Sequence, residues 1–130
     1  MKLIEDRSDI EVFVNEFYER VKYDSVIQHF FTKERGFSFE QHIPIMCDFW
    51  ETILLHVPRY SGSPVGKHIV IDKELRMNPE HFERWVSIFN SVIDEFFVGD
   101  LATEAKKRAD LMRHLMIHKI EYARSNNLIF

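Results

Sequence analysis

The chain has 130 residues, of which 45% are apolar, and its 17 Lys and Arg against 21 Asp and Glu leave a formal net charge of −4. We expect residues 1–130 to form one domain whose core is large enough for an internal cavity. The acidic balance, without any cluster of Lys and Arg, argues against a nucleic-acid partner. A single cysteine, Cys47, rules out an internal disulfide. The start of the chain lacks a secretory signal and no apolar run is long enough for a bilayer, so the prediction is a cytoplasmic protein without a membrane partner.

Capping signals and apolar periodicity predict two helices in the first half of the chain. Ser8 and Glu11 have the spacing of a capping box, and the apolar residues behind them recur every three or four positions. This apolar face consists of Ile10, Phe13, Val14, Phe17 and Val21, with Tyr18 at its edge. Ser38 and Gln41 repeat the capping signal, but Pro44 predicts a kink or a late start for the second helix.

Two further helices are predicted in the second half, after a loop over residues 57–67 that holds two Pro and two Gly. Asn78 and Pro79 suit the cap and the first residue of the third helix, Gly99 its end, and Asp100 the cap of the last helix. The third helix has an apolar face of Phe82, Trp85, Phe89, Val92 and Phe96. The face predicted for the last helix is Leu101, Ala105, Leu111, Met112, Leu115 and Met116, reaching toward Tyr122. Since no convincing strand pattern occurs, the predicted fold class is all-α.

A row of side chains on the second predicted helix suggests one wall of a ligand site. His42, Met46 and Trp50 follow one another at intervals of four residues, so an imidazole leads an apolar surface. His68 follows the Pro- and Gly-containing loop and can approach a flat group from the opposite side. Spacing alone is a weak signal, because most single histidines are core or surface residues rather than ligands.

A set of short strings, spread in order over residues 8–124, carries a resemblance to a known family. The strings are FYERV at 17–21, His42 followed by Phe49 and Trp50, YSGSP at 60–64, GKH ending at His68, and PEHF at 79–82 followed by Trp85. In residue type, order and spacing they resemble the group III truncated haemoglobins of the globin superfamily. The resemblance implies a truncated globin, a two-over-two helical sandwich around haem b (iron protoporphyrin IX).

The same resemblance implies roles for individual residues. His68 matches the proximal ligand of the haem iron, and neutral imidazole suits that role. Tyr18, His42 and Trp85 match the distal residues that stabilise a bound ligand. His42 is also a candidate second iron ligand, because the bend expected at Pro44 turns its imidazole either onto the iron or toward solvent.

Further residues are expected to contact the cofactor. They are Phe31, with Phe30 as its alternative, and Met46, Trp50, Tyr60, Lys67, Trp85 and Phe89. Lys67, Arg59 and Arg76 are candidates for pairing with the haem propionates, although each is as readily a solvated charge.

The function implied is a haem protein that binds O₂, NO, CO or peroxide and carries out redox chemistry on them rather than O₂ transport. NO dioxygenase and peroxidase-like activity remain open, as does a reductase partner, and a monomer or weak homodimer is expected. One alternative is a haem-free, globin-like sensor or interaction module. Another is a metal-binding bundle using His114 and His118, which lacks the paired Glu-x-x-His motifs of such sites.

Overall fold

The computed structural model describes residues 1–60 and 76–125. These residues form four α-helices and two 3₁₀ turns, with no strand beyond an isolated bridge between Lys2 and Phe97. The helices are α1 (Arg7–Val21), α2 (Phe39–Leu55), α3 (Pro79–Phe96) and α4 (Asp100–Ser125), and the 3₁₀ turns Gln28–Phe30 and Lys33–Arg35 lie between α1 and α2. The all-α prediction is confirmed. None of these helices is both long enough and apolar enough to cross a membrane.

Helix α1 begins earlier than its predicted capping box. Asp6 is the cap, and its carboxylate accepts the backbone N–H groups of Ser8 and Asp9. The Asp9 carboxylate in turn accepts the backbone N–H of Asp6 at 3.3 Å, which completes a different capping box. The prediction for Ser8 is wrong because its hydroxyl donates to Asp6 at 2.6 Å instead of capping the helix itself.

Helix α2 is capped by Ser38 as predicted, since the Ser38 hydroxyl accepts the Gln41 backbone N–H at 3.2 Å. The predicted late start is wrong, because the helix begins directly at Phe39 and contains Pro44. Proline lacks an N–H, so the carbonyl of Glu40 loses its helical donor. Glu40 is exposed, and water can satisfy that carbonyl at little cost.

Helix α3 starts at Pro79 with Asn78 as its cap, as predicted. Helix α4 differs from prediction, because Asp100 is its first residue rather than its cap. The carbonyl of Gly99 accepts the Thr103 N–H at 3.1 Å. Gly99 has a φ of +99°, a backbone conformation that residues with a β-carbon rarely adopt, so the conformation favours glycine.

The predicted apolar face of α4 is only partly correct. Leu111, Leu115 and Tyr122 are exposed. The residues of α4 that are buried are Ala102, Ala105, Ala109, Met116, Ile120 and Ala123. The buried face of α4 thus combines small alanines with the larger Met116 and Ile120, and Leu111 and Leu115 lie outside it.

Two groups of buried side chains make up the core. In the larger group, the Phe13 ring of α1 meets the rings of Trp50, Phe89 and Phe97 edge-on at 5.7–6.1 Å. The smaller group joins α3 to α4 and consists of Phe82, Met116, Ile120 and Ala123. Met77 and Met112 pack against both groups, and the candidate site lies at this junction.

Candidate functional site

A cavity of about 250 Å³ lies where the two core groups meet. Its apolar walls are formed by Ile27, Phe30, Phe31, Phe37, Ile45, Met46, Met77, Phe82, Met112 and Met116. Five further lining residues carry a polar group, namely Tyr18, His42, Tyr60, His81 and Trp85. A mostly apolar cavity with a few polar groups is the usual form of a small-molecule site.

Tyr18 and His42 form the closest polar pair on the cavity wall. The Tyr18 hydroxyl of α1 lies 2.9 Å from Nε2 of His42 in the first turns of α2, and the two rings meet edge-on at 5.3 Å. Tyr18 is buried and His42 is half-buried. The imidazole is therefore directed toward Tyr18 and the cavity. The bend expected at Pro44 does not turn it out toward solvent.

The protonation state of this pair follows from its surroundings. Burial, with a smaller contribution from the Cys47 side chain, raises the pKa of Tyr18 well above its usual range. The phenol thus stays protonated at neutral pH. It either donates to His42 Nε2 or accepts from it, depending on which ring nitrogen carries the hydrogen. In the second arrangement, the phenol hydrogen is available to a group inside the cavity.

Trp85 of α3 supplies a second aromatic donor on the cavity wall. Its half-buried ring stacks on Phe89 at 6.3 Å and meets Phe17 edge-on at 6.1 Å. These ring contacts hold the indole, whose N–H can donate but cannot accept a hydrogen bond.

His81 is a cavity residue that sequence reasoning did not single out. It is the third residue of α3, and its Nδ1 accepts the backbone N–H of Asn78 at 2.9 Å. In a capping box this position normally holds Glu or Gln. The sequence did contain a signal for this residue, because His81 lies three residues after the Asn78 cap. A side chain at that position can accept the backbone N–H of the cap, and this bond holds the ring in place.

Of the cofactor contacts expected from the sequence, Phe31, Met46, Tyr60 and Trp85 line the cavity, and so does Phe30. Both phenylalanines that the sequence offered as alternatives are therefore on the cavity wall.

Trp50 and Phe89 are not among the residues that line the cavity, so their contact with a cofactor stays a prediction. Their rings stack on each other at 4.9 Å inside the core. Trp50 lies eight residues after His42, which turns it by about 80° around the helix and onto the core side. Phe89 is enclosed by the rings of Phe13, Phe17 and Trp50.

The segment that leaves α2 is held by a buried carboxylate and a hydroxyl. Glu51, almost fully buried, pairs with Arg59 at 2.5 Å and with Arg7 at 3.0 Å. The Thr52 hydroxyl accepts the backbone N–H groups of Arg59 at 3.1 Å and Tyr60 at 3.0 Å. These bonds place the Tyr60 ring against Phe49 and in the cavity wall. Arg59, a candidate propionate partner, is therefore already engaged by Glu51.

Other residues named from the sequence fall elsewhere. His68 and Lys67 lie outside the described residues. Arg76 is exposed. Cys47 is buried but is not part of the cavity wall, and burial raises the pKa of its thiol to about 11.

The alternative metal site on α4 gains no support. His114 and His118 are exposed. Across residues 1–60 and 76–125, no group of three His, Cys, Asp or Glu side chains is arranged to hold a metal ion.

The order of the helices and the cavity between them define an all-α, globin-like chain with an internal cavity. The chain is 26% identical over 99 residues to the group 3 truncated hemoglobin ctb of Campylobacter jejuni, a match that covers 74% of this chain and 76% of that protein. The crystal structure of a group III truncated hemoglobin from Campylobacter jejuni matches with a TM-score of 0.81 at 23% identity, covering 92% of this chain and 95% of that one. No family model matches the chain. The predicted resemblance to group III truncated haemoglobins and the truncated-globin fold are confirmed.

Proposed function

We propose that this chain is a haem protein that binds O₂ and other small diatomic ligands beside Tyr18, His42 and Trp85. The observation that carries the proposal is the 2.9 Å contact between the Tyr18 hydroxyl and His42 Nε2 at the wall of a mostly apolar cavity. The similarity to proteins named truncated hemoglobins supports the cofactor.

The cavity residues suit a flat, apolar macrocycle. Phenylalanine and methionine side chains dominate the walls, and these are favourable surfaces for a porphyrin face. We assign Phe30, Phe31, Met46 and Tyr60 to its walls and His68 to the iron. When bound, haem b supplies an iron centre that binds O₂, NO, CO or peroxide and exchanges electrons with them.

The three distal residues supply hydrogen bonds to a ligand held in the cavity. Tyr18 donates its phenol hydrogen while His42 Nε2–H donates to the phenol oxygen, so the imidazole orients the hydroxyl. Trp85 adds an indole donor. A hydrogen bond to a charged acceptor contributes about 1.5–3 kcal/mol, which slows ligand loss by roughly ten- to a hundredfold.

Slow release favours chemistry on the ligand over its delivery. Because the buried phenol keeps its hydrogen, Tyr18 can hold a ligand in the cavity through a donated hydrogen bond while His42 orients the hydroxyl. We therefore propose NO dioxygenation or peroxidase-like turnover, supported by electrons from a reductase, as the activity.

Absorption spectra test the cofactor and its attachment. Protein purified from cells supplied with a haem precursor is expected to show a Soret band that shifts with reduction and with carbon monoxide. His68→Ala should lose haem or change its coordination, whereas His118→Ala, a variant of an exposed histidine on α4, should keep the wild-type spectrum. Colourless wild-type protein that takes up no added haem would refute the proposal in favour of a haem-free module.

A further inference from the structure

We propose that His29 and His81 form an anion-binding edge of the cavity that holds a carboxylate of the bound cofactor. This inference rests on the proposed haem function, and it concerns residues to which neither the sequence nor the comparisons assign a role. The ligand chemistry is a propionate-like carboxylate attached to a flat apolar ring.

The tautomer of His81 is determined by the backbone. Because Nδ1 accepts the Asn78 N–H at 2.9 Å, the hydrogen of the neutral ring is on Nε2, which is its remaining donor. His81 is half-buried and lines the cavity. It also lies in the first turn of the 18-residue helix α3, where the helix dipole favours a negative charge.

His29 places a second imidazole beside it. The two ring centroids are 5.5 Å apart, and the Phe30 ring packs against both, at 4.1 Å from His29 and 5.0 Å from His81. Phe30 lines the cavity, so the imidazole pair stands at the border of the apolar wall. Desolvation, with smaller contributions from His81 and Arg35, lowers the pKa of His29. A carboxylate bound beside the two rings would favour the protonated form of His29.

The cofactor needs such an edge because its two carboxylates cannot be left unpaired against an apolar wall. Tyr18 and His42 are bonded to each other, and Arg59 is paired with buried Glu51. The imidazole pair offers donors that the ligand site does not use.

The test measures how much the carboxylates contribute to binding, independently of the iron. Iron-free protoporphyrin IX and its dimethyl ester share one ring and differ only in the charge of the two side chains, and their fluorescence reports binding without axial ligation. The wild-type protein is expected to bind the free acid about tenfold more tightly than the diester, the effect of a charge-assisted hydrogen bond at a partly solvated edge.

Variants locate the preference. His29→Ala removes a largely exposed ring, and His81→Glu keeps a capping side chain for Asn78 while replacing the Nε2–H donor by a negatively charged carboxylate. Each should reduce the preference for the free acid to less than about twofold. His81→Gln, which keeps the cap and an amide donor, should retain most of it, and His118→Ala, a variant of an exposed histidine on α4, should retain all of it. Circular dichroism checks that the helices remain folded.

Three outcomes would overturn the proposal. Equal wild-type affinities for the two porphyrins, or a full preference surviving in both His29→Ala and His81→Glu, would refute the carboxylate edge alone. Failure of the wild-type protein to bind either porphyrin would refute the haem function and the edge together.

Discussion

The Tyr18 hydroxyl and His42 Nε2 lie 2.9 Å apart and thereby join α1 to α2 at the wall of the cavity. This bond determines which hydrogen-bond donor faces a ligand in the cavity, because the buried phenol stays protonated and the imidazole orients it. The pair is thus the part of the site whose removal should affect ligand release most directly.

Replacing Tyr18 by Phe should speed O₂ dissociation from the haem-loaded protein by roughly ten- to a hundredfold, since one charge-assisted hydrogen bond is lost. Stopped-flow displacement of O₂ measures the rate. Tyr23→Phe is the matched control, because Tyr23 is 79% exposed. Equal dissociation rates in Tyr18→Phe and Tyr23→Phe would contradict the donor role of Tyr18.

Trp85→Phe should also speed O₂ dissociation, because it removes the indole donor while keeping an aromatic ring to pack against Phe17 and Phe89. Combining it with Tyr18→Phe should give an effect that differs from the product of the two single effects, as both donors serve one acceptor. Dissociation kinetics of all four proteins test this. If the two substitutions had strictly independent effects, Tyr18 and Trp85 would not donate to a shared acceptor.

Thr52→Val should weaken haem binding by roughly fivefold, because the loss of an acceptor worth about 1 kcal/mol frees the backbone that positions Tyr60. Haem transfer to apomyoglobin measures the change. Thr52→Ser keeps the hydroxyl and should behave as the wild type. Unchanged haem retention in the valine variant would show that Tyr60 does not depend on this bond.

Phe13→Ala should lower the free energy of unfolding by about 3–5 kcal/mol, the range for removing a large aromatic side chain from a core. Phe13 is fully buried and contacts three aromatic rings. Urea unfolding measures the loss. The neighbouring Val12 is exposed, and Val12→Ala should change the free energy by less than about 0.5 kcal/mol. A comparable loss in both variants would argue against the core described here.

Asp24 should make the protein sensitive to acid. Burial alone would raise the pKa of its carboxyl, but bonds from Arg84 and from the backbone N–H groups of Val26 and Ile27 outweigh it and hold the pKa below its usual range. The stabilisation is therefore complete above the unfolded pKa and is lost as pH falls through the lower folded value.

Asp24→Asn should consequently be less stable than the wild type near neutral pH, and the gap should narrow below about pH 4. Urea unfolding at a series of pH values gives the comparison. The control is Glu121→Gln, a variant of an exposed residue on α4. A gap that stays constant down to the lowest pH would show that the Asp24 carboxyl has the same pKa in the folded and unfolded chains.

Local sequence patterns determined where the helices lie and which way most of them face. The caps at Ser38 and Asn78 depend on residues within four positions of each other, and the buried residues of α1 recur at the helical period. Both features can therefore be predicted without the tertiary structure. The ordered strings that resemble truncated haemoglobins led to the fold and to Tyr18, His42 and Trp85 as cavity residues.

Tertiary packing decided the rest, because periodicity sets angles within one helix but not the position of one helix against another. Trp50 and Phe89 stack on each other in the core, and the buried face of α4 leaves Leu111 and Leu115 exposed. The bond between Tyr18 and His42 joins residues 24 positions apart, and only the packing of α1 on α2 brings those two side chains within hydrogen-bonding distance.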